Sequence, residues 1–163
     1  MKRIILFTFL LLTIGQVFSD DCVFDPSSAD GSFLTKNPSI KYHAWDDKTK
    51  EARAILKDGS FLYVKKWACR HVGMDARLMA FYGKDEIEKD DVQLKRVLWF
   101  GSQVLGKSDF KSLENSILNK TYSREIRPNG YILRIPHGTY SEFYVELTTL
   151  NDMQVIAIVY YFS

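Results

Sequence analysis

The sequence predicts an α+β domain in which an antiparallel sheet of about six strands packs two helices on one face. Three observations support this: strand-like alternation before residue 83, apolar residues at helical spacing from 94 to 117, and strand patterns again from 131 onward. The expected order is a meander, a helical pair and then hairpin strands.

The first strands are predicted between residues 40 and 82. A short strand is indicated over 40–45, and residues 51–57 alternate apolar and polar side chains up to Asp58-Gly59, which suits a tight hairpin turn. The return strand over 61–67 alternates again. A corner at 67–75 then leads into a strand over 76–82. These segments predict an antiparallel meander.

Two helices are predicted in the middle of the chain. The first has apolar residues at helical spacing and Gly106 as its stop; these residues are Leu94, Val97, Leu98, Gly101, Val104 and Leu105. Ser108 can cap a second helix, because Phe110, Leu113 and Ile117 then share one face.

Strands return in the last third of the sequence. Pro128-Asn129-Gly130 favours a turn before a strand over 131–135, and Asn151-Asp152 favours a turn between strands over 140–150 and 155–162. The final segment is apolar on both faces, which predicts a central position in the sheet.

The first nineteen residues are predicted to be a secretory signal peptide. Lys2-Arg3 precede an apolar run from Ile4 to Ile14, which is too short to span a bilayer comfortably, and Ser19 suits a cleavage site. The expected organisation is a signal peptide over 1–19, an N-terminal arm over 20–45 and a single α+β domain over 46–163. The protein would then be periplasmic or secreted, without membrane insertion after cleavage.

Charge argues against nucleic acid as a partner. The whole chain has 22 basic and 20 acidic residues, and removal of Lys2 and Arg3 with the signal peptide leaves these numbers equal. A neutral chain lacks the positive field on which nucleic-acid binding depends.

The two cysteines, Cys22 and Cys69, predict a disulfide in an exported chain. The bridge would attach the N-terminal arm to the corner at 67–75. Closing a loop of this length contributes about 3–4 kcal/mol in the chain-entropy description.

The corner contains the residues best suited to binding: Trp67, Arg70, His71 and Asp75. A loop held by a disulfide and two strands presents side chains at little entropic cost, which suits recognition, although Trp67 and Met74 could equally pack beneath a solvated corner. Cys69 and His71 do not make a metal site, because too few ligands lie nearby in sequence. We therefore expect no metal, no cofactor and no catalytic residues.

Size, export and the segment Trp67-Ala68-Cys69-Arg70-His71-Val72-Gly73 resemble the small periplasmic inhibitor and immunity proteins of bacteria, lysozyme inhibitors among them. This resemblance implies a protein-binding domain that blocks a toxin or a cell-wall-degrading enzyme through the loop 67–75. Arg70 and His71 would meet acidic groups of the target.

Two other classes stay open. A small-ligand carrier would hold its ligand in an apolar cavity between the helices and the sheet. A small exported hydrolase, ranked third, would use Glu142, Glu146 or His71, since paired carboxylates can perform acid–base hydrolysis.

Overall fold

All described strands belong to one antiparallel sheet of eight strands. The computed structural model describes residues 25–68, 70–82, 89–137 and 141–162. The strands are β1 Ile40–Asp46, β2 Glu51–Leu56, β3 Phe61–Ala68, β4 Val72–Phe81, β5 Ser123–Arg127, β6 Gly130–His137, β7 Ser141–Leu150 and β8 Met153–Phe162. A 3-10 turn, Pro26–Ser28, and three helices, α1 Ser32–Lys36, α2 Asp90–Val104 and α3 Lys107–Leu118, complete the described elements.

The sheet is two four-stranded meanders joined side by side. The strand order is β1-β2-β3-β4-β8-β7-β6-β5, so β4 and β8 meet in the centre and β1 and β5 form the two edges. The chain makes the first meander, forms α2 and α3, and then makes the second. The prediction that the final strand lies centrally is confirmed.

The tight turns lie where turn-forming residues indicate them. Gly59 has a φ of 89°, and the Asp58 carboxylate accepts a hydrogen bond from the Ser60 amide, so this turn joins β2 to β3. Pro128-Asn129 joins β5 to β6, and Asn151-Asp152 joins β7 to β8.

The prediction of about six strands fits only roughly, because the described residues form a sheet of eight. The strand that no predicted segment covers is the edge strand β5. Strand β5, Ser-Arg-Glu-Ile-Arg, lacks the apolar alternation of a half-buried strand, because an edge strand here has mostly exposed side chains. Strand β1 is similarly exposed and contains a bulge between Ile40 and Tyr42.

The described helices pack on one face of the sheet, as predicted. Their buried side chains join those of the strands in a single core. The helical members are Leu34, Val97, Phe100, Val104, Leu113 and Ile117, and the largest strand members are Leu62, Met74, Leu78, Leu133, Ile135, Phe143, Leu147, Ile156 and Ile158. Burial of these side chains is the main favourable contribution to the packing of the helices on the sheet.

The segment before β2 is integrated into the same core. Leu34 on α1 is 2% exposed, and β1 pairs with β2 along its length. On β3, the Lys66 ammonium donates to the Asp30 carbonyl at 3.2 Å and lies 4.5 Å from the Phe33 ring centroid. From residue 25 onward, the segment assigned to an N-terminal arm thus contributes a helix and an edge strand to the fold.

The signal peptide assigned to 1–19 and both cysteines lie outside the described residues. Among the helices that are described, none has the length and apolar character needed to cross a bilayer.

Candidate functional site

The sheet face opposite the helices carries no described helix, and we call it the open face. In an antiparallel sheet, paired residues point to the same side, so the strand registers arrange this face in rows that cross all eight strands. Row 1 is Tyr42, Ile55, Phe61, Met79, Val155, Thr148, Gly130 and Arg127. Row 2 is Ala44, Arg53, Tyr63, Arg77, Ala157, Glu146, Ile132 and Glu125. Row 3 is Asp46, Glu51, Lys65, Asp75, Val159, Tyr144, Arg134 and Ser123.

Row 1 and its neighbours form an apolar end of the open face. Tyr42 is 63% exposed and Phe81, just beyond row 1 on β4, is 80% exposed. Ile55, Phe61 and Leu150 are exposed at the same end. Scattered apolar side chains are normal on a protein surface, but a contiguous set across several strands indicates an interaction site.

Rows 2 and 3 carry charged side chains that pair within the sheet. Glu51 lies 3.1 Å from the Lys65 ammonium and 3.7 Å from the Arg53 guanidinium. Asp75 accepts hydrogen bonds from two guanidinium nitrogens of Arg77, at 3.0 and 2.9 Å. These hydrogen bonds raise the pKa of Arg77. The middle of the open face is thus polar and internally compensated.

The connection between β3 and β4 is shorter than the predicted loop over 67–75. Trp67 lies within β3 and Asp75 within β4, so Arg70 and His71 are the two described residues that project from the connection, and both are exposed. We call Arg70 and His71 the hairpin tip. The Asp75 side chain points to the open face, where its carboxylate accepts hydrogen bonds from Arg77. The four predicted binding residues therefore do not form one cluster.

Trp67 supports the base of this hairpin. It pairs with Gly73 across β3 and β4, and a Cβ atom placed on Gly73 would lie 2.5 Å from the indole carbons Cε2 and Cζ2. The indole therefore covers the glycine and fills the space that a side chain would take. Strands β3 and β4 reach the hairpin tip as a packed pair.

A second polar cluster lies on the helix side, where α3 meets the ends of β6 and β8. His137 Nδ1 is 3.0 Å from Ser112 Oγ, and His137 Nε2 is 3.3 Å from Asp109 Oδ1. The imidazole packs on Phe143, with ring centroids 4.4 Å apart. Burial and the nearby Asp109 carboxylate raise the pKa of Tyr160 to about 12.

The hydrogen-bond roles in this cluster follow from the donor inventory. An ionised carboxylate only accepts, so His137 Nε2 carries a hydrogen toward Asp109. In the neutral imidazole, Nδ1 is then an acceptor for the Ser112 hydroxyl. Serine, histidine and aspartate thus lie in the order that activates a serine nucleophile.

Sequence reasoning did not find this cluster. Asp109 and Ser112 are three positions apart on one helix face, but His137 lies on a distant strand and stands alone in sequence. The carboxylates named for a hydrolase lie elsewhere: Glu142 and Glu146 point to the open face, as the register of β7 shows. His71 is at the hairpin tip, so these three groups do not converge on one described site.

The region between the helices and the sheet is filled by side chains. Phe100, Leu113 and Phe143 are each at most 1% exposed there. A depression of about 400 Å³ lies instead at the surface between α1 and the end of α2, lined by Phe33, Lys36, Asn37, Pro38, Ser39, Ser102, Gln103 and Leu105. A carrier would require an enclosed apolar cavity between the helices and the sheet.

Within the described ranges, no three His, Cys, Asp or Glu side chains are grouped as metal ligands. In comparisons with known proteins, no family model, curated protein or solved structure matches this chain.

Proposed function

We propose that this chain is an exported protein-binding domain that blocks a partner enzyme with the hairpin tip. The observation that carries the proposal is the presentation of Arg70 and His71, both exposed, at the end of a hairpin whose strands share eight register pairs. Because Trp67 packs on Gly73 at its base, the hairpin loses little conformational entropy on binding.

The chemistry of the hairpin tip suits an acidic target. A guanidinium binds carboxylates through two parallel hydrogen bonds, and a protonated imidazole adds a second donor. Cell-wall-degrading glycosidases use paired carboxylates in an open cleft. A narrow hairpin carrying basic groups fits such a cleft, which favours an inhibitor or immunity role over a general adaptor.

The test is capture of a partner from periplasm or culture medium with the purified protein as bait. We expect one protein partner that is lost with the Arg70→Ala/His71→Ala variant. The matched control is Lys41→Ala/His43→Ala, which removes an exposed basic residue and an exposed histidine from β1. Equal recovery with both variants would overturn the assignment to the hairpin tip.

A direct assay complements the capture experiment. Lysozyme digestion of cell walls is followed with increasing amounts of the protein, its hairpin-tip variant and the β1 control. Inhibition by the protein and the control, but not by the hairpin-tip variant, is the expected result. Absence of inhibition together with absence of a captured partner would contradict the proposed function.

A second candidate function is ester hydrolysis at Ser112, favoured by the Ser112–His137–Asp109 hydrogen bonds. Ser112 Oγ would attack the ester carbonyl as His137 Nδ1 takes its proton; His137 would then protonate the leaving alcohol, and water would release the acid from the acyl-serine. A fluorophosphonate probe tests this step. Labelling of the protein that is lost in Ser112→Ala, but kept in the nearby Ser116→Ala, would support it, and absence of labelling would exclude it.

A further inference from the structure

The open face combines an apolar end with a charge pattern that is complementary to itself. Antiparallel sheets often leave one face in water, but the residues of that face are then polar. Here row 1 and its neighbours place aromatic and aliphatic side chains in water, with Phe81 at 80% exposed. Covering this end would remove apolar surface from water and stabilise the covered state.

The charges of rows 2 and 3 are divided between the two meanders. In row 2, the first meander contributes Arg53 and Arg77, and the second contributes Glu146 and Glu125. In row 3 the signs are reversed: Asp46, Glu51 and Asp75 outnumber Lys65 in the first meander, and Arg134 is the charged residue of the second. Each half of a row thus carries the charge opposite to the other half.

A two-fold axis can bring the oppositely charged halves of these rows face to face. If the axis runs parallel to the strands between β4 and β8, each row faces the same row of the second copy in reverse strand order. Strand β2 then lies over β6 of the other copy, and β3 over β7. Glu51 meets Arg134 of the second copy, and the two basic side chains of row 2 lie over its acidic half.

The same arrangement places apolar groups together on the central strands, β4 and β8. On the central strands, Met79 lies over Val155 of the second copy, and Phe81, just beyond row 1, lies over Met153. Farther from the centre, Phe61 lies over Thr148, Ile55 over Gly130 and Tyr42 over Arg127. Two sheets packed face to face align within about 30° of each other, which keeps these pairs close near the central strands. Attraction by charge and burial of the central apolar side chains therefore favour the same orientation.

The area of the open face is sufficient for a stable contact. Eight strands at the usual spacing, with about eight residues each, cover on the order of 1,000 Å². A standard protein interface buries about 800 Å² on each partner. A partner of strong net charge fits less well, because the acidic and basic side chains of this face balance each other.

We propose that the open face binds a second copy of this chain, forming a two-fold dimer in which the two sheets stack and the helices lie outside. Arg70 and His71 project from the ends of β3 and β4, and remain accessible in this dimer. The dimer would therefore present two hairpin tips. The proposal does not depend on the identity of any other partner.

Sedimentation velocity of the purified protein at several concentrations tests the dimer. We expect dimers at about 100 µM and a dissociation constant weakened at least about 10-fold by Phe81→Glu, which introduces a charge into the apolar end. The matched control is Ile126→Glu, because Ile126 is 72% exposed but points to the other side of the sheet, on β5. It should leave association unchanged.

A charge exchange tests the two-fold orientation itself. Glu51 and Arg134 lie on β2 and β6, on opposite sides of the sheet centre, and make no described contact with each other within one chain. Glu51 pairs there with Lys65, and Arg134 with Glu125. Glu51→Arg and Arg134→Glu should each weaken association, and the double variant should restore most of it. A protein that stays monomeric at about 100 µM would overturn the dimer. A dimer insensitive to Phe81→Glu and to the charge exchange would place the interface elsewhere.

Discussion

The indole of Trp67 covers Gly73 so closely that a methyl group on the glycine would lie 2.5 Å from two ring carbons. Gly73→Ala should therefore displace the indole and lower the free energy of unfolding by about 1–3 kcal/mol. Gly106→Ala is the control, because its methyl group would lie 3.7 Å from the nearest atom, on Asp109. Urea denaturation measures both variants, and equal stability would contradict the close packing described.

Leu34 should be a core residue of the domain although it lies on a five-residue helix near the beginning of the described chain. It is 2% exposed, so Leu34→Ala leaves a cavity and should cost about 2–5 kcal/mol. Leu118→Ala removes the same atoms from a side chain that is 67% exposed, and should change stability by less than about 0.5 kcal/mol. Thermal or urea unfolding of the pair decides whether the segment before β1 belongs to the cooperative unit.

His137→Ala should destabilise the contact between α3 and the sheet. The change removes the partner of Asp109 and of Ser112, and the ring that packs on Phe143, with an expected loss of about 1–3 kcal/mol. Ser112→Ala removes one hydroxyl group and should cost about 1 kcal/mol or less. If both variants unfold at the same urea concentration, the imidazole is not the centre of this cluster.

Tyr160 should make the protein sensitive to alkali. Its pKa is raised from 10.0 to about 12 in the folded state, so below pH 10 the folded and unfolded states hold the proton equally. As pH rises from 10 toward 12, the unfolded state loses the proton first and stability falls, by about 1.4 kcal/mol between pH 9 and 11. Tyr160→Phe cannot titrate, so it should lose less stability over this interval. Urea denaturation at the two pH values gives the comparison, and parallel losses would contradict the assignment.

The sequence predicts the local features of this fold better than the relations between distant ones. Apolar spacing indicated α2 and α3, and Asp58-Gly59 and Asn151-Asp152 indicated turns, because neighbours along the chain determine these features. Strand β5 was missed, since a solvated edge strand has no apolar alternation. The pairing of β4 with β8 joins residues from 72 positions apart (Phe81 with Met153) to 90 positions apart (Val72 with Phe162), and local patterns carry no information about it.

The candidate sites show the same difference between local features, which the sequence predicts, and contacts between distant residues, which it does not. Sequence reasoning located Arg70 and His71 on an exposed connection, but it could not show that Asp75 pairs with Arg77. Residues can be assigned to the rows of the open face only once the order of all eight strands is known. His137 joins Ser112 and Asp109 through tertiary packing alone, so no spacing in the sequence marks that cluster.

The central position of β8 also determines when the sheet can be completed during synthesis. Strand β4 is made before its partner β8, and about 70 residues separate the end of one from the start of the other. At a rate of about 5–20 residues per second, β4 waits on the order of 4–14 s for the segment that completes the sheet. During this interval the first meander has an unpaired strand where the finished sheet has its centre. Such an edge can pair with the wrong strand, so chaperone binding to the nascent chain should matter most between the synthesis of Phe81 and that of Met153.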